Sequence, residues 1–360
     1  MTDGDLRQKT NGRADLSDLQ PYRAPQMNAQ VKLNTNESPY PPPESFLSEL
    51  SSRVERIPFH RYPDRDFTEL REALARHLGV LTDRVWLANG SNEVLLQLLL
   101  AFGGADKRAM TFEPTYTMHS HIVRVTGTRL LRARRNPDFT MHLEATLEAI
   151  SRQEPDVVFL CSPNNPTGNT NTREEVEAVC EAAPGLVILD EAYGEFAGES
   201  LYRLIEDHDR LAVVRTFSKA WRMAGARLGY LVAQPWLQEQ ILKVRLPYHL
   251  SALTQAAGLA ALAHPREITA HVQTIVHDRG CLWDELSTTR GITAFPSRAN
   301  FILFRCDAKP ANDVWSALLD KGVLIRDFSD TQGCEGCLRV SVGTREQNER
   351  FLETLSTVLR

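Results

Sequence analysis

The feature that most restricts how this chain can fold is a series of short apolar runs, each followed by a turn and then by helical periodicity. The runs are Val85–Ala88, Met110–Phe112, Val157–Cys161, Leu186–Leu189 and Leu211–Val214. Strands of a parallel sheet covered on both faces read as unbroken apolar stretches, and their alternation with helices predicts an open α/β sheet. The helical segments carry start and stop signals. Thr172 with Glu175 makes a capping box, and Asn92 with Glu93 opens Val94–Phe102. Over Asp66–Leu78, Leu70, Leu74 and Leu78 share one face, and Gly79 supplies the stop.

At 360 residues the chain is long enough for two domains. Residues 1–45 form an N-terminal arm. Its first twenty or so residues are polar and expected to be loose, and the rest is extended as far as the Pro39–Pro43 run, which cannot be helix. A large domain spans 46–277, its last part, from Pro235 to about His277, being mostly helical and bridging to the next unit. A small C-terminal α+β domain, packing with the arm, spans 278–360. Its predicted elements are strands at Phe301–Phe304, Gly322–Arg326 and Leu338–Val342, a helix at Ala311–Lys321, and a last helix from Thr344, capped with Gln347.

Ligands of open α/β sheets bind outside the carboxyl ends of the strands, so the residues standing there matter most. After the first run comes Asn89-Gly90-Ser91-Asn92, a glycine turn into a helix start that suits an anion. Tyr116 follows the second run. Ser162-Pro163-Asn164-Asn165-Pro166-Thr167-Gly168 follows the third, Asp190-Glu191-Ala192-Tyr193 the fourth, and Ser218-Lys219 the fifth. A lysine at the end of a buried strand is costly in its charged form. Forming an imine with a carbonyl compound is one resolution, the one lysine uses with pyridoxal phosphate. Thr216, Ser218 and Arg227 would then hold that cofactor's phosphate. Alone, a Ser-Lys pair reads as a surface lysine before a helix and Asp190 as a helix cap. It is the gathering of an anion nest, an aromatic plate, an amide, a carboxylate and a lysine on one sheet edge that matches what pyridoxal phosphate requires.

Composition removes other classes. The net charge is −5 with no basic run, which argues against nucleic acid or an acidic membrane as partner. Val94–Phe102 is too short to cross a bilayer, and the polar start lacks the apolar core of a secretory signal. The six cysteines are therefore read as reduced and the protein as cytoplasmic. Cys334 and Cys337 have C-x-x-C spacing without a second pair and read as a plain turn. His119 and His121 are too isolated to argue a metal.

With these residues in view, the chain resembles the fold type I, class I/II pyridoxal-phosphate-dependent aminotransferases, and within them the histidinol-phosphate aminotransferase family. The resemblance runs from about Pro21 to the C-terminus and rests on L-N-T-N-E-S-P at 33–39, R-Y-P-D at 61–64, G-S-N-E at 90–93, P-T-Y at 114–116, S-P-N-N-P-T-G at 162–168, D-E-A-Y at 190–193, T-F-S-K-A at 216–220, G-V-L-I-R-D at 322–327 and L-R-V-S-V-G-T at 338–344. It implies a three-layer large domain, with Lys219, Asp190 and Tyr193 as the catalytic set. Lys219 would carry pyridoxal 5'-phosphate as its Schiff-base partner and act as general base. Asp190 would pair with the pyridine nitrogen, and Asn165 and Tyr193 with the phenolic oxygen. Tyr116 would stack on the ring, and Ser91, Asn92, Thr216, Ser218 and Arg227 would cradle the phosphate. Tyr62 would reach that phosphate from the other subunit of a homodimer. Arg339, helped by Arg326, would grip the substrate's acid group, while Tyr22 and Asn36, with Tyr40 less surely, would line the pocket.

The implied reaction is transamination of L-histidinol phosphate with 2-oxoglutarate, giving imidazole acetol phosphate and glutamate in histidine biosynthesis. An aromatic-amino-acid aminotransferase, a lyase like threonine-phosphate decarboxylase and a non-catalytic cofactor-binding protein remain as alternatives, the last disfavoured by Lys219 occurring with Asp190. Two departures from the family pattern, Ser38 after Glu37 and His119 after Thr117-Met118, are expected to bear on substrate choice and to leave the cofactor set untouched.

Overall fold

The computed structural model describes residues 12–21 and 26–360. In chain order the strands of the first part are β1 (Val31–Leu33), β2 (Val85–Ala88), β3 (Arg108–Glu113), β4 (Arg129–Arg134), β5 (Val157–Cys161), β6 (Leu186–Asp190), β7 (Leu211–Thr216) and β8 (Gly229–Ala233). The second part adds β9 (Ile292–Ala294), β10 (Phe301–Cys306), β11 (Val323–Asp327) and β12 (Cys337–Ser341). They form a 7-stranded sheet ordered β2-β8-β7-β6-β5-β3-β4 and a 5-stranded sheet ordered β1-β11-β12-β10-β9.

In the larger sheet β3 to β7 pair in parallel, and β8 runs antiparallel between β7 and β2. The carboxyl ends of β2, β3, β5, β6 and β7 therefore open on one edge, beside the start of β8. Every residue of β5, β6 and β7 is buried, and each fully buried Val, Leu or Ile side chain stabilises the sheet by roughly 1.5–3 kcal/mol. All the expected strands form, several of them longer or shifted by a residue. Two others in this sheet go beyond the sequence expectation. β4, R-L-L-R-A-R, is an edge strand whose charged residues break the apolar pattern, and β8 follows the left-handed Arg227 (φ 52) and begins on a glycine, both of which read as turn.

The helix over Ser91–Phe102 starts earlier than expected because Gly90, at φ +85, caps it. The helix expected over Asp66–Leu78 shortens to Thr68–Leu78, with the Thr68 N–H donating to the Asp64 carboxylate. Both predicted capping boxes, at Thr172 and Thr344, are formed in full.

In the smaller sheet β1 lies parallel to β11, so the arm supplies an edge strand to the C-terminal unit. The expected division at 277/278 lies within a continuous helix, Val272–Thr288. The stretch before it is mostly helical as expected, in the separate helices Pro235–Val244, Ala252–Ala263 and Pro265–Ile268. Residues 12–21, expected to be loose, include a 3-10 turn at Ala14–Leu16, and Arg13 donates to the Val125 carbonyl (2.8 Å). Cys334 and Cys337 are unpaired, buried thiols on a turn that the Cys337 N–H closes onto the Cys334 carbonyl. Among the described residues no helix is long and apolar enough to cross a membrane.

One buried charge cluster ties β6 to β7. Arg215 lies 3.1 Å from Glu195 and 3.6 Å from Glu191, with Glu191 also accepting from Ser200 and from the Leu201 N–H. Burial pushes the Glu191 carboxyl up, against the pull of Arg215. Arg215→Met leaves that carboxylate buried without its cation and is expected to destabilise the fold by about 3–5 kcal/mol. A denaturant midpoint equal to that of the wild type would contradict the assignment.

Candidate active site

The open edge of the large sheet faces the smaller sheet across a cavity of about 380 Å³. Lys219 and Asp190, from adjacent strand ends, line this same cavity, together with Ser91, Asn92, Tyr116, Asn165, Tyr193, Thr216, Ser218 and Arg227. Asn36, Arg326 and Arg339 reach it from the arm and the small unit.

The Lys219 amine donates to the Thr35 carbonyl at 2.9 Å and stands 5.8 Å from the centre of the Tyr193 ring. Burial, reinforced by Arg339 and Arg227, lowers its pKa to about 8. At the far wall Asp190 accepts from the Ala192 N–H through one oxygen and meets His119 Nε2 at 3.0 Å through the other. His119 is fully buried and stacks on Phe159, with ring centroids 4.8 Å apart. The expectation that His119 stays away from this set is corrected. It sits one helical turn after Tyr116, on the same face, and that spacing is the signal the sequence offers.

The Tyr193 hydroxyl accepts from Asn36 Nδ2 at 2.9 Å and from Asn165 Nδ2 at 3.5 Å. Burial raises the Tyr193 pKa. Asn165 in turn accepts from Arg339, whose other nitrogen donates to the Asn34 carbonyl at 2.8 Å. The Arg339 guanidinium lies between the rings of Phe301 and Phe328, at 5.0 and 5.2 Å. These neighbours of Arg339, and the Thr35 contact of Lys219, have no sequence signature because they join residues distant in the chain.

The same cavity holds the elements of an anion cradle. Ser91 and Asn92, at the start of the helix Ser91–Phe102, line it, and the first N–H groups of a helix have no partner within it. Arg227 approaches Gly90 so closely that a Cβ there would lie 2.6 Å from its Nη2, and a Cβ on Gly229 would lie 2.3 Å from the Ser91 nitrogen. Arg227 also donates to Ser218. Space that only glycines leave open, an amine of lowered pKa, a buried carboxylate and an aromatic plate together fit pyridoxal phosphate.

Tyr22 lies outside the described residues. Two other expected residues are not brought here. Tyr40 borders a neighbouring cavity and stacks on His271, with ring centroids 4.2 Å apart. Tyr62 is 78% exposed and stacks on Tyr248, with centroids 4.5 Å apart, on the outer surface.

The sequence profile described as aminotransferase class I and II matches residues 28–355. The chain belongs to this family. Among its aminotransferase relatives, the histidinol-phosphate aminotransferase of Corynebacterium glutamicum (strain ATCC 13032) is 41% identical over 97% of this chain and 96% of that one. That of Rhodococcus jostii (strain RHA1) is 46% identical over 94% of this chain and 90% of its own. The solved histidinol-phosphate aminotransferase of Sinorhizobium meliloti, in complex with pyridoxal-5'-phosphate, superposes with a TM-score of 0.84 at 27% identity over 92% of both chains. The match over nearly the whole of each chain takes in both the large and the small unit that face the cavity.

Proposed function

We propose that this aminotransferase transfers the amino group of L-histidinol phosphate to 2-oxoglutarate, giving imidazole acetol phosphate and glutamate in histidine biosynthesis. The observation that carries the substrate reading is the pairing of Arg326 directly opposite Arg339 on β11 and β12, both lining the cavity. Like charges facing each other across a ladder are destabilising, and a doubly charged phosphate monoester between them offsets that cost. The guanidinium fork also binds the carboxylate of glutamate, so one anchor serves both half-reactions.

Pyridoxal phosphate, when bound, supplies the electron-withdrawing ring that makes the substrate Cα proton removable. The chain's residues do the rest. Lys219 would hold the cofactor and, as a free amine, would move the proton at the substrate Cα. Asp190 keeps a proton on the ring nitrogen, and His119 orients its carboxylate. Asn165 and Tyr193 donate to the ring hydroxyl position, Tyr116 covers the ring face, and Ser91, Asn92, Thr216, Ser218 and Arg227 neutralise the phosphate. Asn36 lines the imidazole side.

The same reading makes the protein a cytoplasmic homodimer in which Tyr62 completes the phosphate cradle of the partner. Phe59 and Leu246, 68% and 74% exposed, and the stacked Tyr62–Tyr248 pair support an interface there.

The substrate is tested by mixing the pyridoxal phosphate form with histidinol phosphate, threonine phosphate or phenylalanine and following pyridoxamine phosphate and carbon dioxide. Pyridoxamine phosphate forms fastest with histidinol phosphate. Faster conversion with phenylalanine, or carbon dioxide from threonine phosphate, would replace this substrate with another.

A further inference from the structure

The proposed chemistry leaves one charged group of the cavity without a role. Four basic residues line it, Lys219, Arg227, Arg326 and Arg339, and the proposed chemistry gives each of them a role. Of the two acidic residues lining it, Asp190 is deep and committed to the ring nitrogen, whereas Glu37 stands on the arm at the mouth. The Glu37 side chain also borders a second cavity that continues outward past Pro39 and Arg222.

Glu37 is held in place. Its carboxylate accepts from the Thr35 hydroxyl at 2.8 Å, and the carbonyl of that same Thr35 accepts from Lys219 at 2.9 Å. The neighbouring Asn36 is pinned in the left-handed region (φ 55), with its N–H on Ser341 and its side chain on Tyr193. Strained backbone of this kind is kept where the surroundings fix it, and here residues 36 and 37 both line the cavity, Asn36 buried and Glu37 exposed at its mouth. Glu37 is close enough to Lys219 for its charge to raise the amine's pKa against the dominant lowering by burial and Arg339.

We propose that Glu37 determines specificity by accepting a hydrogen bond from the imidazole ring of the amino donor. This deepens the substrate reading above and rests on it. An imidazole always has an N–H to donate, and near its ordinary pKa it carries a positive charge on part of the molecules. A carboxylate at the mouth of an otherwise basic cavity suits that ring. It is equally unsuited to the second carboxylate of 2-oxoglutarate or glutamate, which is the other molecule the site must admit. Glu37 therefore acts in opposite senses on the two half-reactions.

The test is Glu37→Gln in the full-length holoenzyme, with separate half-reaction kinetics for histidinol phosphate and for 2-oxoglutarate between about pH 6 and pH 8.5. The KM for histidinol phosphate should rise on the order of tenfold at the acid end, as expected for losing a charge-assisted hydrogen bond. The rise should shrink as the imidazole loses its charge, while the KM for 2-oxoglutarate falls or stays level. Equilibrium titration of the pyridoxal phosphate form with histidinol, which lacks the phosphate, should weaken in parallel. An effect transmitted only through Lys219 moves both half-reactions in the same direction, and that result, or an unchanged KM for histidinol phosphate, overturns the role of Glu37. A wild-type enzyme that fails to convert histidinol phosphate overturns the substrate reading itself, and the two failures are told apart by the wild-type arm alone.

Discussion

Lys219→Ala is expected to lower the turnover number by at least about 10⁴-fold, or roughly 5.5 kcal/mol of barrier. Two losses combine. The covalent hold on the cofactor disappears, and so does the amine assigned to move the proton at the substrate Cα. Arginine at this position should not substitute, because a guanidinium stays protonated. The environment already prepares the lysine to act as a nucleophile and base, since burial, then Arg339 and Arg227, bring the amine from 10.5 to about 8. A neutral amine is the nucleophile, so uptake of pyridoxal phosphate by the cofactor-free protein should rise with pH through about 8 and then level off. An unperturbed lysine would still gain about tenfold per unit there. Small primary amines added to Lys219→Ala should restore part of the rate in order of basicity. Turnover of the variant within tenfold of the wild type, by single-turnover kinetics, would show that the proton is moved elsewhere.

Asp190→Asn is the second large effect, a fall in turnover of about 10²–10⁴-fold. The substitution keeps size and shape but removes the charge that holds a proton on the ring nitrogen. Asp190 is 2% exposed and fixed by the Ala192 N–H and by His119. In so dry a place charge is hard to replace with solvent. Cofactor binding should weaken less than turnover, because Lys219 and the phosphate cradle remain. The absorption spectrum of the bound cofactor and its dissociation constant, measured beside the turnover number, separate the two. Loss of binding in proportion to loss of rate would make Asp190 an anchor and not an electronic partner.

Both residues are legible in the linear chain, and the reason is local. Asp190 and Lys219 each follow an apolar run, and in a parallel sheet the end of every such run reaches the same edge. The glycine turn before Ser91 is readable for a similar reason, since a positive φ and a close backbone approach are needed there. His119 escapes sequence reasoning because its role depends on Asp190, a residue from another strand. β4 escapes it because an edge strand need not be apolar.

The alternation of strands and helices, the order of groups along the sheet edge and the chemistry they support are all written in the linear chain, because burial patterns and turn residues act over a few neighbouring positions. Which distant groups touch is settled only by folding. The arm's Thr35 meets Lys219, Arg326 faces Arg339 across a ladder, and Phe301 with Phe328 encloses the Arg339 guanidinium. Such contacts close long loops, and their geometry follows from how whole layers pack and not from any local preference.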